Sequence, residues 1–143
     1  MLNFIFNPTI NNHSMGILMT QLFACLFGFL AIVFGAFGAH ILKRRFTPEQ
    51  MSSFETGIKY QMYHAIVLLI LSFNLGFTTT LESAIVNCFI LGTILFSFSI
   101  YGLCLSASSG KKLKFLGPIT PLGGLFLASG WILLLIYFFK DLF

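Results

Sequence analysis

Residues 83–110, SAIVNCFILGTILFSFSIYGLCLSASSG, decide the fold class. The stretch holds no Asp, Glu, Lys or Arg, and about 20 mainly apolar residues are enough for a helix to cross a hydrocarbon layer of roughly 30 Å. Three more windows share this property: residues 1–42, 60–81 and 115–139. Lipid offers the backbone no hydrogen-bond partners, so a spanning segment must satisfy its own amides as a helix or a closed barrel. The long apolar runs lack the short alternating segments of a membrane barrel. The pattern therefore predicts an all-α chain, a compact four-helix transmembrane bundle forming a single integral domain.

Composition excludes the main alternatives. Hydrophobic residues make up 57% of the chain and charged residues 8%, against about 25% charged in ordinary soluble domains. The formal net charge of +4 does not indicate nucleic acid. Four of the eight Lys and Arg residues (Lys43, Arg44, Arg45, Lys59) fall in the first connection and three (Lys111, Lys112, Lys114) in the third. That clustering is the positive-inside pattern of a membrane protein. Both basic connections are expected on the cytoplasmic side and both termini on the outer side.

Along the chain, the expected spans are approximately 15–41, 60–77, 83–107 and 121–139. The run from Met15 to Ala39 exceeds the core of a cleaved signal peptide, and no Lys or Arg precedes it; it is read as a true span. Its small residues Ala24, Gly28, Ala31, Gly35 and Ala39 fall on related turns and suit close helix packing, as does Gly124 in the fourth span. Thr47-Pro48-Glu49-Gln50 reads as a capping box with proline at the first helical position. The short amphipathic stretch with Met51, Phe54 and Ile58, and with Glu55 and Lys59 spaced for an i,i+4 ion pair, predicts a short interfacial helix before span 2. Thr79 and Glu82 form a second capping box. Thr120 and Pro121 suit the N-cap and first position of the last helix. The three cysteines do not build a disulfide framework and read as buried small side chains.

Two polar levels stand out in the apolar spans. Toward the inner surface, His40, His64, Ser97, Tyr101 and Thr120 are expected at similar depth, as a cluster in which the two histidines share one network, so that replacing both costs less than the sum of the single replacements. Two histidines without a nearby third ligand do not make a metal site, and no metal or other cofactor is expected. Toward the outer surface, Gln21, Asn74 and Asn87 are read as helix-contact residues, with Asn74 and Asn87 bonded across the hairpin. A metalloprotease helix motif, a glycine-rich nucleotide loop and a serine nucleophile elbow are all missing from the sequence, and no catalytic residue is assigned.

Gly35-Ala36-Phe37-Gly38-Ala39-His40, Tyr60-Gln61-Met62-Tyr63-His64-Ala65 and Ile119-Thr120-Pro121-Leu122-Gly123-Gly124, followed by Gly130-Trp131, resemble the YgdD-like family of uncharacterised small membrane proteins. The resemblance covers approximately residues 15–139. It implies a four-span protein of the bacterial cytoplasmic (inner) membrane and brings no reaction with it. One position departs from the family pattern: Phe98 stands where Phe-Ser-x-Ser-x-Tyr has a small residue.

The functional expectation is a noncatalytic accessory or scaffold subunit of a membrane assembly, contacting membrane lipids and either another membrane protein or a second copy of itself. The alternative is a small oligomeric transporter or channel. A cofactor-dependent redox enzyme would rest on His40 and His64 alone.

Overall fold

The order of helices follows from which residues lie in the two short caps. The computed structural model describes residues 8–111 and 113–140, without the side chains of residues 8–12 and 39. Helix α1 spans Pro8–His40 and is followed by a 3-10 turn, Leu42–Arg44. Helix α2, Pro48–Asn74, starts where Thr47 accepts the Gln50 amide and the Gln50 side chain accepts the Thr47 amide. Helix α3, Thr80–Ser108, starts at the equivalent box of Thr79 and Glu82. It contains one π turn, Ile94–Phe98. Helix α4 is Ile119–Lys140. The all-α expectation holds, with a short helical piece outside the apolar part before the second long helix. The charged, amphipathic start at Pro48 runs into the rest of α2 without a break.

The helices pack in chain order, each antiparallel to the next. On α1 the buried face is Thr20, Ala24, Phe27, Ala31 and Gly38, steps of three, four or seven residues that mark one side of a helix. This face meets α2: Gly28 lies against Ala65, Gly35 against Ile58 and Gly38 against Phe54. The small residues of α1 thus serve packing within the chain, while Ala39 lies outside the described side chains. On the other flank α3 meets α4. A Cβ on Gly123 would come within 2.7 Å of the Phe96 Cα, and one on Gly92 within 2.8 Å of the Leu127 amide nitrogen. Only glycine allows backbones that close. At Gly124, the small residue expected from the sequence to pack, a Cβ would meet the Phe96 ring at an ordinary 3.8 Å; its neighbour Gly123 is the contact that sets the helix spacing. Tyr101, Phe89, Leu68, Ile85 and Phe27 fill the interior between the flanks.

Three helical stretches are long and apolar enough to cross a membrane: His13–Gly38, Thr80–Ser108 and Lys114–Lys140. Helix α2 is 27 residues long, but Lys59, Gln61 and His64 lower the hydropathy of its middle. The i,i+4 pair of Glu55 and Lys59 does not form, and among the described residues no salt bridge is present; both side chains are exposed. An exposed pair of this kind is worth only a few tenths of a kcal/mol, too little to fix two long side chains.

Candidate functional site

At the end of the bundle that carries the basic connections, named the inner end after the sequence expectation as the opposite end is named the outer, three helices meet around one fully buried side chain, Gln61. Its amide nitrogen donates to the Phe27 carbonyl on α1 at 2.8 Å. Its carbonyl oxygen accepts from the Tyr101 hydroxyl on α3, also at 2.8 Å. One turn earlier on α2, the Gly57 carbonyl accepts from Ser97 at 2.9 Å. Gly57 has to be glycine, because a Cβ there would lie 2.7 Å from the Tyr101 ring. The Tyr101 ring packs at 4.8 Å on Phe54 and 5.0 Å on Phe34. Farther inward the Cys104 thiol donates to the Gln50 carbonyl at 3.4 Å. Each polar group buried here closes on a group from another helix, which is how buried polar atoms avoid a penalty of about 1–3 kcal/mol each.

The residues expected to cluster are only partly brought together. Ser97 and Tyr101 belong to this clamp, but their partners are Gly57 and Gln61 rather than histidines. Thr120 does not cap α4, which already begins at Ile119; its hydroxyl shares a 2.7 Å hydrogen bond with Ser99 and ties α4 to α3. His40 is exposed at the end of α1. His64 is buried at 5% exposure on the level where Gly28 meets Ala65. Twelve residues of α1 separate that level from His40, about 18 Å along the axis. The two histidines therefore do not share a network.

His64 has its own surroundings. Its Nδ1 lies 2.8 Å from the Tyr60 carbonyl, which can only accept, so Nδ1 carries the proton and Nε2 the lone pair. Nε2 is buried without a hydrogen-bond partner among the described residues, beside the Phe89 ring at 5.5 Å.

The outer end is organised differently. Glu82, 3% exposed, accepts from the amides of Gly76 at 3.0 Å, Thr78 at 2.8 Å and Thr79 at 2.9 Å. The hydroxyls of Thr78 and Thr79 donate to it at 3.2 and 3.0 Å, and Tyr137 reaches it from α4 at 3.4 Å. Between the gripped amides Phe77 adopts φ +55°, a left-handed conformation uncommon for an aromatic residue. Successive amides turned toward one anion form a nest, so the carboxylate supports the strained turn. The expected contact between Asn74 and Asn87 does not form. Asn74 donates to the Ile70 carbonyl of its own helix at 2.7 Å, Asn87 is exposed on α3, and Gln21 is half-buried on α1.

A cavity of about 530 Å³, with Glu49, Gln50, Ser53, Thr56, Cys104 and Thr120 in its lining, opens at the inner end between the start of α2, the end of α3 and the start of α4. Its hydroxyls are already engaged: Ser53 donates to the Glu49 carbonyl and Thr56 to that of Ser52. Glu49 is fully exposed, and its own amide and the Thr47 hydroxyl hold its carboxyl below the usual range. Among the described residues no three His, Cys, Asp or Glu side chains converge as a metal-binding group.

Comparison with known proteins places this architecture. A family model described as a protein of unknown function, DUF423, matches residues 34–124, which contain Gln61, His64, Ser97, Tyr101 and Gly123. A UPF0382 membrane protein of Staphylococcus haemolyticus is 39% identical over 106 residues, covering 74% of this chain and 83% of the relative. The chain belongs to the UPF0382 family of membrane proteins. The inner membrane protein YgdD of Escherichia coli K12 is 34% identical over 116 residues, 80% of this chain and 85% of its own length. A membrane protein of Schizosaccharomyces pombe is 34% identical over 114 residues, 79% of this chain and 95% of its own. No solved structure matches. Membership in UPF0382 and three helices of spanning length make this a multi-pass transmembrane protein, and the bacterial inner membrane is the location carried in the names of the enterobacterial relatives.

The Gln61 clamp escaped the sequence reading although Gln61 lies inside one of the quoted blocks. A glutamine three residues from His64 on a helix that buries Phe54, Gly57, Ala65 and Leu68 was the available signal.

Proposed function

We propose that this UPF0382 chain is a noncatalytic accessory or scaffold subunit of a membrane assembly, crossing the membrane four times with both termini outside. The observation that carries the reading is the Gln61 clamp. Its polar groups are spent on joining α1, α2 and α3, the use expected of a rigid bundle rather than of a substrate path.

Four crossings are supported by the pairing of α2 with α1 from Phe54 to Ala65, continued just past the helix by Phe77 against Gly16; a helix that follows a spanning neighbour along this length shares its depth. Orientation is supported by the Cys104 to Gln50 contact, which gathers Lys43, Arg44, Arg45, Lys59, Lys111 and Lys114 at one end, the cytoplasmic end by the positive-inside rule. Labelling of introduced cysteines from each side should place residues 43–59 and 111–114 on the same, inner face; opposite faces would overturn the topology.

Extraction from native membranes in mild detergent, with cross-linking, should recover a reproducible stoichiometric neighbour. Recovery of this chain with nothing but itself would overturn the accessory role. The transporter alternative has the unpartnered His64 Nε2 in its favour; flux of protons, ions or metabolites through vesicles holding the purified protein would establish it over the scaffold.

A further inference from the structure

In the cavity at the inner end, the direction of each hydrogen decides what can bind. Ser53 and Thr56 on α2 give theirs to the Glu49 and Ser52 carbonyls, and Cys104 on α3 gives its own to the Gln50 carbonyl. Ser99 donates to the Phe96 carbonyl at 2.9 Å. A hydroxyl has a single hydrogen, so in the 2.7 Å contact between Ser99 and Thr120 the donor is Thr120. These lining side chains have spent their hydrogens inside the protein and offer the cavity only lone pairs. Beside them stands the exposed carboxylate of Glu49, ionised at neutral pH. Such a wall calls for a ligand rich in N–H donors, and a primary ammonium carries three. Gln50, whose side-chain oxygen is taken by the Thr47 amide, keeps its amide hydrogens for an acceptor on the same ligand.

The opposite wall is apolar, with Ile100, Leu103 and Ala107 of α3. Gly117, also in the lining, follows Lys114 by one turn and donates its amide to the Lys114 carbonyl at 3.1 Å. The connection that leads there exposes Leu113 at 43% and Phe115 at 66%, on either side of the exposed Lys114. Lysine and large apolar side chains interleaved in this way suit the headgroup level, where the apolar groups enter the acyl region and the amine stays in water. At that level the abundant carriers of an ammonium are lipids.

We propose that this cavity holds the headgroup of an aminophospholipid of the phosphatidylethanolamine class, its ammonium on Glu49, Ser53 and Thr56 and its phosphate within reach of Gln50 and Lys114. A choline headgroup has no N–H to give, and the lining lacks the aromatic faces that hold a quaternary ammonium. A glycerol headgroup brings a phosphate to Glu49 with no cation to offset it. The site is more specific than the general lipid contact of a membrane protein. It is independent of the accessory role, since it needs only this chain.

The test uses the purified full chain in mild detergent, titrated with phosphatidylethanolamine, phosphatidylcholine or phosphatidylglycerol of identical acyl chains and read by native mass spectrometry. Phosphatidylethanolamine should bind about fivefold more tightly than the other two, a preference of the size that a solvent-screened ion pair gives. Glu49→Gln should erase that preference. Glu55→Gln, the same change of charge on the same stretch of α2 but outside the cavity lining, should keep it. Ala107→Phe, which fills the cavity from its apolar wall and leaves Glu49 in place, should lower binding of the favoured lipid to that of the others. Equal affinity for the three lipids, a preference that survives Glu49→Gln, or an equal loss in Glu55→Gln would each overturn the proposal. Phosphoethanolamine in solution should not displace the lipid at equal concentration; if it binds as tightly, the occupant is a soluble amine and the lipid assignment falls. Should Glu49→Gln fail to fold, Ala107→Phe decides by the same measurement.

Discussion

The two ends of the bundle solve the same problem with opposite means. At the outer end a charged group, Glu82, is buried, and its partners Gly76, Thr78 and Thr79 lie within six residues of it in sequence, apart from Tyr137. At the inner end the buried groups of the clamp are neutral, and each bond joins residues 34 to 54 positions apart. The outer site is a local device that holds one strained turn. The inner site is a tertiary device that holds three helices in register. The lesson concerns dependence: the first exists wherever its own hairpin forms, and the second only when the whole bundle has assembled.

The largest expected effect lies at the outer end. Glu82→Leu leaves three amides and two hydroxyls without their acceptor and releases Phe77 from its left-handed conformation. A loss of about 3–5 kcal/mol, the range for stripping a buried charge network, is expected in unfolding measurements in detergent. Deprotection in hydrogen exchange should centre on residues 76–82. A variant as stable as the parent would show that the carboxylate does not hold the turn.

Gln61→Leu comes next. It strands the Tyr101 hydroxyl and removes a second bond from the Phe27 carbonyl, which keeps its helical partner, at a cost of about 2 kcal/mol. Combining it with Tyr101→Phe should cost less than the sum of the two single changes, because the second removes a group the first has already stranded. Additive effects would break the contrast by showing that the inner clamp does not act as a unit. Ser97→Ala, which removes one bond and leaves the Gly57 carbonyl with its helical partner, should cost about 1 kcal/mol in the same assay.

The smallest effect separates the two histidines. His40→Ala, at an exposed site, should change stability by less than about 0.5 kcal/mol. His40→Ala and His64→Ala should add, as expected of residues well beyond contact distance. A coupling between them would reinstate the shared cluster expected from sequence depth.

These contrasts also explain what was legible in the sequence. Local chemistry was readable: Thr47 with Gln50 and Thr79 with Glu82 announce both caps, charge-free windows announce the long helices, and Ala24 and Ala31 announce a packing face. The same reading reached Glu82 as a capping residue but not as the holder of the turn before it, because the conformation of Phe77 has no sequence signature. Depth was readable as well, but depth does not fix the direction of a side chain around the helix. His40 and His64 were grouped by position relative to the connections, whereas the antiparallel pairing of α1 and α2 sets their actual separation. Asn74 illustrates the same limit. Its amide was assigned to a neighbouring helix, and its own backbone offered a nearer acceptor.

The π turn at Ile94–Phe98 carries a consequence for counting residues. A turn of this kind holds one residue more than an α-helical turn, so the inner part of α3 is offset by a single position from where a straight helix would place it. Deleting one residue there would restore a plain α-helical turn and leave the inner part facing as it does now, whereas forcing the present sequence into an unbroken α-helix would swing everything after the turn by about 100° and push it on by about 1.5 Å. Tyr101 would turn away from Gln61, and Cys104 from Gln50. A gap or insertion between positions 94 and 98 in a related chain is therefore a geometric statement. A chain one residue shorter there keeps its hydroxyl in the Tyr101 column on a plain α-helical turn, and a chain of equal length keeps it there only by keeping the π turn.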